Sequence, residues 1–155
     1  MPRDVVVTSG NSRFLQEISI GPHQLKADEP MVSGGGDEGP DPYGLLLAAL
    51  GACTGMTLRM YAARKEWPLK AVRVRLTHEK IYAQDCVDCE TKNGMLDLIK
   101  REISLIGELS SEQRLRLLEI ANKCPVHRTL TSEIRIETWT PAVNASEGEE
   151  EKARM

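Results

Sequence analysis

Four cysteines are the residues of this chain best suited to chemistry: Cys53, Cys86, Cys89 and Cys124. A thiolate can act as a nucleophile or a metal ligand, and two thiols can join as a disulfide. In a reducing compartment, thiol chemistry, metal ligation and burial in the core are more common roles for cysteine than structural bridges. The neighbours of each cysteine are therefore needed to separate these alternatives.

Cys53 lies at about the twelfth position of a predicted helix, beyond the first turn in which the helix dipole can stabilise a thiolate. A mostly apolar wall surrounds it at helical spacing: Ala49, Leu50, Met56 and Thr57. Its position alone leaves open both a small buried hydrophobic residue and an activated thiol. Activation requires a positive charge supplied from elsewhere in the fold.

Cys124 directly precedes Pro125, and this order is typical of the start of a helix. There the sulfur lies near free backbone N–H groups, which favour the thiolate. His127 and Arg128 follow within about one turn. The end of the preceding helix would act in the opposite direction, so the local sequence leaves the pKa of Cys124 open.

Cys86 and Cys89 form the motif DCVDC, which has the spacing of half a zinc site or of a redox dithiol. With His78 and a fourth ligand such as His23, the pair could hold zinc, although a histidine on a strand face is more often hydrogen-bonded in the core. Three neighbouring carboxylates oppose thiolate formation: Asp85, Asp88 and Glu90. A metal site, a regulatory disulfide and spectator thiols remain open for this pair.

The element that positions Cys53 is a long helix predicted from Pro42 to about Lys65. Asp41 is a typical N-cap and proline is favoured at the first helical position. Nearly every residue from 45 to 58 is apolar or small, which predicts a helix buried on all sides. Gly51 removes side-chain bulk beside Cys53 and permits a close approach by another part of the chain.

Alternating apolar residues predict strands, and a capping box at Ser110 predicts a second helix that ends near Lys123. The predicted strands cover residues 4–9, 13–20, 24–28, 72–82, 99–105 and 132–139. This order indicates an α+β arrangement in which sheets cover the helices. A helix that is apolar all round needs more cover than one small sheet provides, so we expect a homodimer.

Length and composition predict a single domain over residues 1–139, followed by an acidic, disordered tail over residues 140–155. Six aromatic residues and a net charge of -3 argue against nucleic-acid binding and against attraction to anionic membranes. The 14-residue apolar run is shorter than the ~18 residues needed to span a bilayer. The first residues lack the pattern of a signal peptide, so we expect a cytoplasmic protein.

Two motifs resemble one known family over residues 10 to 138. They are GPDPYGLLLAALGACTGMTLRMYAARK around Cys53 and Cys-Pro-Val at Cys124, just after the second predicted helix. Together they resemble the osmotically inducible protein C and organic hydroperoxide resistance (OsmC/Ohr) family. The resemblance implies an α+β fold with antiparallel sheets wrapped around two central helices, an intertwined homodimer, and a thiol peroxidase site at the subunit interface.

The resemblance also implies the roles of the two cysteines in the response to oxidative stress. Cys53 matches the cysteine that attacks an organic hydroperoxide and becomes a sulfenic acid. Cys124 matches the one that closes a disulfide, which an external dithiol, lipoyl-like or other, then reduces. No cofactor is implied. The apolar wall around Cys53 suits an alkyl or fatty-acid peroxide better than hydrogen peroxide.

A lower thiol pKa cannot by itself supply the rate. A shift of the thiol pKa from about 8.5 to about 5.5 raises the thiolate fraction at pH 7 roughly 30-fold. The same shift lowers the intrinsic nucleophilicity of the thiolate about 20-fold, so the two effects nearly cancel. A guanidinium must therefore orient the peroxide. By resemblance Arg13 is that group, with Glu38, Tyr43 and His127 in support. Tyr43 replaces the family glutamate, and a phenol cannot make a bidentate ion pair.

That replacement, together with the additional DCVDC motif, leaves a second class of function open. The chain would then be a redox-sensing or ligand-binding dimer that kept the fold without the catalysis. In that reading Cys86 and Cys89 could hold a structural or regulatory zinc ion with His78.

Overall fold

Antiparallel sheets and helices build the chain, whose computed structural model describes residues 3–141. This confirms the predicted α+β class. The elements are β1 (Val5–Ser9), β2 (Gln16–Ile20), β3 (His23–Ala27), α1 (Pro42–Arg64), β4 (Leu69–Tyr82), β5 (Met95–Gly107), α2 (Ser111–Ala121) and α3 (Pro125–Leu130). The acidic tail predicted for 140–155 lies outside the described residues from 142 onward.

The first three strands form an antiparallel sheet in the order β1-β2-β3. β1 has apolar side chains on both of its faces, and Val5, Val6 and Val7 are each more than half exposed. In a single chain the sheet therefore presents apolar surface to solvent.

Asp28 folds the glycine-rich connection from β3 to α1. Its buried carboxylate accepts hydrogen bonds from the backbone N–H groups of Glu29 at 2.8 Å, Gly36 at 3.2 Å and Glu38 at 3.2 Å. Burial has the largest single effect and opposes ionisation, but the three N–H groups hold the pKa of Asp28 below its usual value. The connection thus has a fixed path into α1.

Helix α1 begins and ends within one residue of the predicted bounds. Asp41 caps it by accepting a hydrogen bond from the Gly44 N–H at 2.8 Å. A side chain at Gly51 would place its Cβ 2.9 Å from the Leu76 methyl group, so the predicted close approach at this turn is confirmed. The approach brings the middle of α1 against β4.

The expectation that α1 is buried on all sides is wrong for the single chain. The hairpin of β4 and β5 covers one face together with α2, whereas Met56 and Met60 on another face remain 71% and 64% exposed. By length and composition α1 is apolar enough to cross a membrane, as the core helices of many soluble proteins also are. That the chain spans no membrane stays a prediction.

The hairpin and α2 enclose the core. β4 and β5 pair antiparallel along almost their whole length, which confirms the strand interpretation of both segments. Leu58 of α1 and Leu117 of α2 are both fully buried in this core. The predicted capping box of α2 is present, because the Ser110 and Gln113 side chains each bond to the other's backbone N–H.

The last predicted strand, 132–139, does not form in the single chain. Residues 133–141 have no strand pairing in the described structure, and Ile134 and Ile136 are 54% and 81% exposed. Alternation along a segment predicts a strand only where a neighbouring edge exists to pair with it.

Candidate active site

Cys53 and Cys124 lie side by side although they are far apart in the sequence. Helix α1 carries Cys53, which is partly exposed, and Cys124 is the N-cap of α3 and is fully buried. The Cys53 side chain lies close enough to Cys124 to help lower the pKa of that thiol, and neither cysteine is bonded to another. The packing of α3 on α1 therefore assembles a dithiol.

Hydrogen bonds converge on the sulfur of Cys124. It accepts one from the backbone N–H of His127 at 3.3 Å, and the Thr54 hydroxyl oxygen lies 3.9 Å away. Burial, the largest single effect, raises the pKa of Cys124. Hydrogen bonds from His127, Cys53 and Thr54, helped by the positive charge of Arg101, bring it below its usual value. The structure thus decides a question that the local sequence left open.

Arg101 is the charged residue of this site that the sequence reasoning missed. It lies on β5 opposite Leu76, and its guanidinium donates to the Thr54 hydroxyl at 3.0 Å and to the Asn122 side-chain oxygen at 2.9 Å. One signal pointed to it: Arg101 shares its strand face with Ile99 and Ile103, so it had to face the helices.

His127 lies against the same guanidinium, with its Nδ1 atom 3.2 Å from Arg101. A guanidinium can only donate, so Nδ1 accepts and the ring proton resides on Nε2. Burial first, and then the charge of Arg101, lowers the pKa of His127. The imidazole is therefore neutral at pH 7.

A cavity of about 460 Å³ opens beside this cluster. Leu50, Leu98, Ile99 and Leu130 supply its apolar wall, while Arg101 and His127 supply a polar end. The space suits a small molecule that has an apolar body and one polar group.

Tyr43 and His78 form a second cluster, which is joined to the cavity lining through Asp97. Their rings stack with centroids 4.6 Å apart, and His78 Nε2 lies 2.7 Å from the carboxylate of Asp97, which lines the cavity. The hydrogen bond to His78 and then that to Lys80 lower the pKa of Asp97. His78 is thereby engaged away from Cys86 and Cys89.

Arg13 and Glu38 contact neither thiol within the described chain. The Arg13 guanidinium lies over the ring of Phe14, 5.0 Å from its centroid, and packs against Gly34. Glu38 pairs with Lys26 at 3.6 Å. Within one chain, the arginine whose charge acts on Cys124 is therefore Arg101, and the role of Arg13 stays a prediction.

Cys86 and Cys89 form a disulfide in the connection between β4 and β5, with their Cα atoms 5.5 Å apart. Among the described residues, the one group of Cys, His, Asp and Glu side chains compact enough to share an ion is Cys86, Asp88 and Cys89, without His78. A sulfur in a disulfide is not a thiolate ligand. The zinc alternative that joined this pair to His78 is therefore not what the structure forms.

Comparison with known proteins supports a single family. The family model described as OsmC-like protein matches residues 34–138, which is more than half of the chain. No curated protein sequence matches the chain.

Solved structures with the same fold share few identical residues with the chain. An OsmC-like protein from Mycoplasma pneumoniae aligns with a TM-score of 0.67 and 18% identity, covering 85% of this chain and 89% of that one. An organic hydroperoxide resistance protein OsmC from Legionella pneumophila gives 0.61 and 19%, over 85% and 90%. One from Elizabethkingia anophelis with bound thiocyanate gives 0.63 and 17%, over 86% and 91%.

Proposed function

The chain belongs to the OsmC-like family, and from that premise we propose that it is a thiol-dependent peroxidase that reduces organic hydroperoxides. The observation that carries the proposal is that Cys53 lies near the hydrogen-bonded sulfur of Cys124, beside a partly apolar cavity. Resistance to organic hydroperoxides is also what the similar proteins from Legionella pneumophila and Elizabethkingia anophelis are named for.

In the first step the Cys53 thiolate attacks the terminal oxygen of the hydroperoxide. The O–O bond breaks, the alkoxide takes up a proton and leaves as the alcohol, and Cys53 becomes a sulfenic acid. Cys53 is the thiol for this step because it is partly exposed, whereas Cys124 is fully buried. The guanidinium of Arg101 supplies fixed positive charge nearby.

In the second step the Cys124 thiolate attacks the Cys53 sulfur and the S–O bond breaks. The oxygen leaves as hydroxide, which takes up a proton from solvent to become water, and a disulfide closes. The low pKa of Cys124 increases the thiolate available for this attack. An external dithiol, lipoyl-like or other, then attacks the more exposed sulfur of Cys53. Cys124 departs as the better leaving group. This cycle needs no cofactor.

We also propose that the protein is cytoplasmic and that it assembles as a homodimer. Two apolar surfaces support it: the face of α1 that carries Met56 and Met60, and the exposed valines of β1. An N-terminal sheet that covers α1 of a second copy would also bring Arg13 to the thiols of that copy. Mixed dimers of Cys53→Ser and Arg13→Gln chains would then regain one working site, whereas an Arg13 that acts within its own chain would restore none.

Dithiol-dependent consumption of cumene hydroperoxide tests the activity. We expect many turnovers for the wild-type protein and background rates for Cys53→Ser. Arg75→Gln is a matched control, because it changes an exposed residue on β4 away from both thiols. A wild-type rate equal to that of Cys53→Ser would refute the proposal.

A redox-sensing or ligand-binding dimer is the second candidate. The observation that favours it is Tyr43, which stacks on His78 and cannot form the ion pair that a glutamate would make with Arg13. The same assay separates the candidates, because a sensor consumes about one equivalent of peroxide per Cys53 and then stops even with dithiol present.

A further inference from the structure

The bonded pair Cys86–Cys89 lies at the exposed end of the β4–β5 hairpin. Between the two cysteines Val87 is 94% exposed, and both sulfur-bearing residues are partly exposed. The last residue pair of the hairpin before this connection is Tyr82 with Met95. Another molecule can therefore reach this disulfide from solvent.

This hairpin end is distant from the dithiol of its own chain. Arg101, which neighbours Cys124, pairs with Leu76, six positions along β4 from Tyr82. Six residues of strand span about 20 Å. Direct exchange between Cys86–Cys89 and Cys53–Cys124 must therefore take place between two chains.

The charges around the two pairs give electron flow a direction. Three carboxylates flank the hairpin pair, with a single lysine nearby: Asp85, Asp88, Glu90 and Lys92. Negative charge destabilises the thiolates of a reduced pair and so makes that dithiol a stronger electron donor. At the other pair, Arg101 and the His127 N–H stabilise the Cys124 thiolate, which makes the Cys53–Cys124 disulfide the better acceptor.

We propose that Cys86 and Cys89 form a second redox site, a thiol–disulfide exchange pair that reduces the Cys53–Cys124 disulfide of another copy of this chain. It rests on the proposed function in one respect, namely that peroxide turnover produces that disulfide. The electrons enter from the external dithiol, which reduces Cys86–Cys89 and is itself oxidised to a disulfide, so the hairpin pair provides a faster route than direct attack of that dithiol on Cys53.

The exchange balances in two steps. A thiolate of the reduced hairpin pair attacks the partly exposed Cys53 sulfur, the Cys53–Cys124 bond breaks, and Cys124 leaves as a thiolate. The second hairpin thiolate then attacks the mixed disulfide, closes Cys86–Cys89, and releases Cys53. One disulfide is broken and one is formed, and two electrons pass from the hairpin pair to Cys53 and Cys124.

Two half-site variants test the transfer directly. Cys53→Ser/Cys124→Ser keeps only the hairpin pair and is supplied reduced. Cys86→Ser/Cys89→Ser keeps only the other pair and is oxidised with diamide, so the test needs no peroxidase activity. After mixing, alkylation and peptide mass spectrometry count the free thiols. We expect about two thiols to be lost from the hairpin peptide for every two gained at Cys53 and Cys124.

An absence of thiol transfer over hours, with both variants folded by circular dichroism, overturns the proposal. Cys86→Ala/Cys89→Ala replaces the serine variant if the serines unfold the connection. Kinetics give a second readout. Replacement of Cys86 and Cys89 by serine or alanine should slow dithiol-driven turnover at least about 5-fold. The first peroxide turnover, measured without reductant, should stay unchanged. Unchanged turnover with dithiol also overturns the proposal, whereas loss of the first turnover in the wild-type protein refutes the peroxidase function itself.

Discussion

The two cysteine pairs of this protein occupy opposite environments. Cys86 and Cys89 are neighbours in sequence, lie at the exposed end of a hairpin among carboxylates, and are bonded to each other. Cys53 lies on α1 and Cys124 caps α3. Both are free thiols, and the positive charge of Arg101 acts on Cys124.

The difference shows that the groups around a sulfur determine its chemistry. Arg101 and the His127 N–H lower the pKa of Cys124 and so stabilise the charged form of a buried thiol. The hairpin pair has no comparable cation on its own strands within two residues, and carboxylates flank it instead. One pair is therefore suited to releasing a thiolate and the other to giving up electrons.

The largest expected effect is that of Cys124→Ser. Without a thiol to attack it, the sulfenic acid on Cys53 persists, so dithiol-driven turnover should fall more than about 100-fold, and further peroxide should oxidise Cys53 to the sulfinic acid. Intact-protein mass spectrometry distinguishes added oxygen from the loss of two hydrogens in a disulfide. Cys86→Ser/Cys89→Ser serves as the control and should still form the Cys53–Cys124 disulfide.

Substitutions near the two cysteine pairs should also change the free energy of unfolding by very different amounts. Leu58→Ala removes a fully buried side chain between α1 and α2 and should lower the free energy of unfolding by about 2–5 kcal/mol. Val87→Ala, at the 94% exposed hairpin end, should stay within about 0.5 kcal/mol. Urea unfolding of both variants measures the difference. Equal losses would contradict the described burial.

Arg101→Gln should make the two pairs more alike. Removing the charge lets the pKa of Cys124 rise toward the ordinary value of 9.0, which lowers the thiolate fraction at pH 7. Disulfide closure at pH 7 should therefore be several-fold slower, since the substitution also changes the group that donates to Thr54 and His127. Because only the thiolate of Cys124 attacks, the rate of disulfide closure rises with pH and levels off above the pKa of Cys124. In Arg101→Gln that pKa is higher, so the rate should level off at a higher pH.

Rapid-quench alkylation between pH 6 and pH 10 measures that profile. Arg75→Gln is the matched control, since Arg75 is an exposed arginine on β4 away from the thiols. An unchanged inflection in Arg101→Gln would refute the role of the guanidinium.

The smallest expected effect is that of Thr54→Val. The hydroxyl accepts from Arg101 at 3.0 Å and lies 3.9 Å from the Cys124 sulfur, so its loss should cost about 1 kcal/mol and slow disulfide closure a few-fold. Thr57→Val, at a partly exposed position of the same helix, should change neither quantity. Chemical denaturation and the alkylation assay check both.

Local signals predicted a large part of the fold. The bounds of α1 followed from Asp41 and Pro42, α2 from the Ser110 capping box, and β4 from its alternating side chains. Sequence patterns whose structural outcome depends on a second packed surface were less informative. The strand predicted over 132–139 and the all-round burial of α1 depend on surfaces that a single chain does not provide.

The site divides in the same way. The sequence by itself determined that Cys124 begins a helix with its sulfur at a backbone N–H, because N-capping involves only residues within one turn. Only the tertiary structure decided that Cys53 lies near Cys124, that Arg101 donates to Thr54 and contacts His127, and that His78 pairs with Asp97. Cross-strand register and helix packing set these contacts. They join residues about 20 to 70 positions apart, beyond the reach of any local pattern.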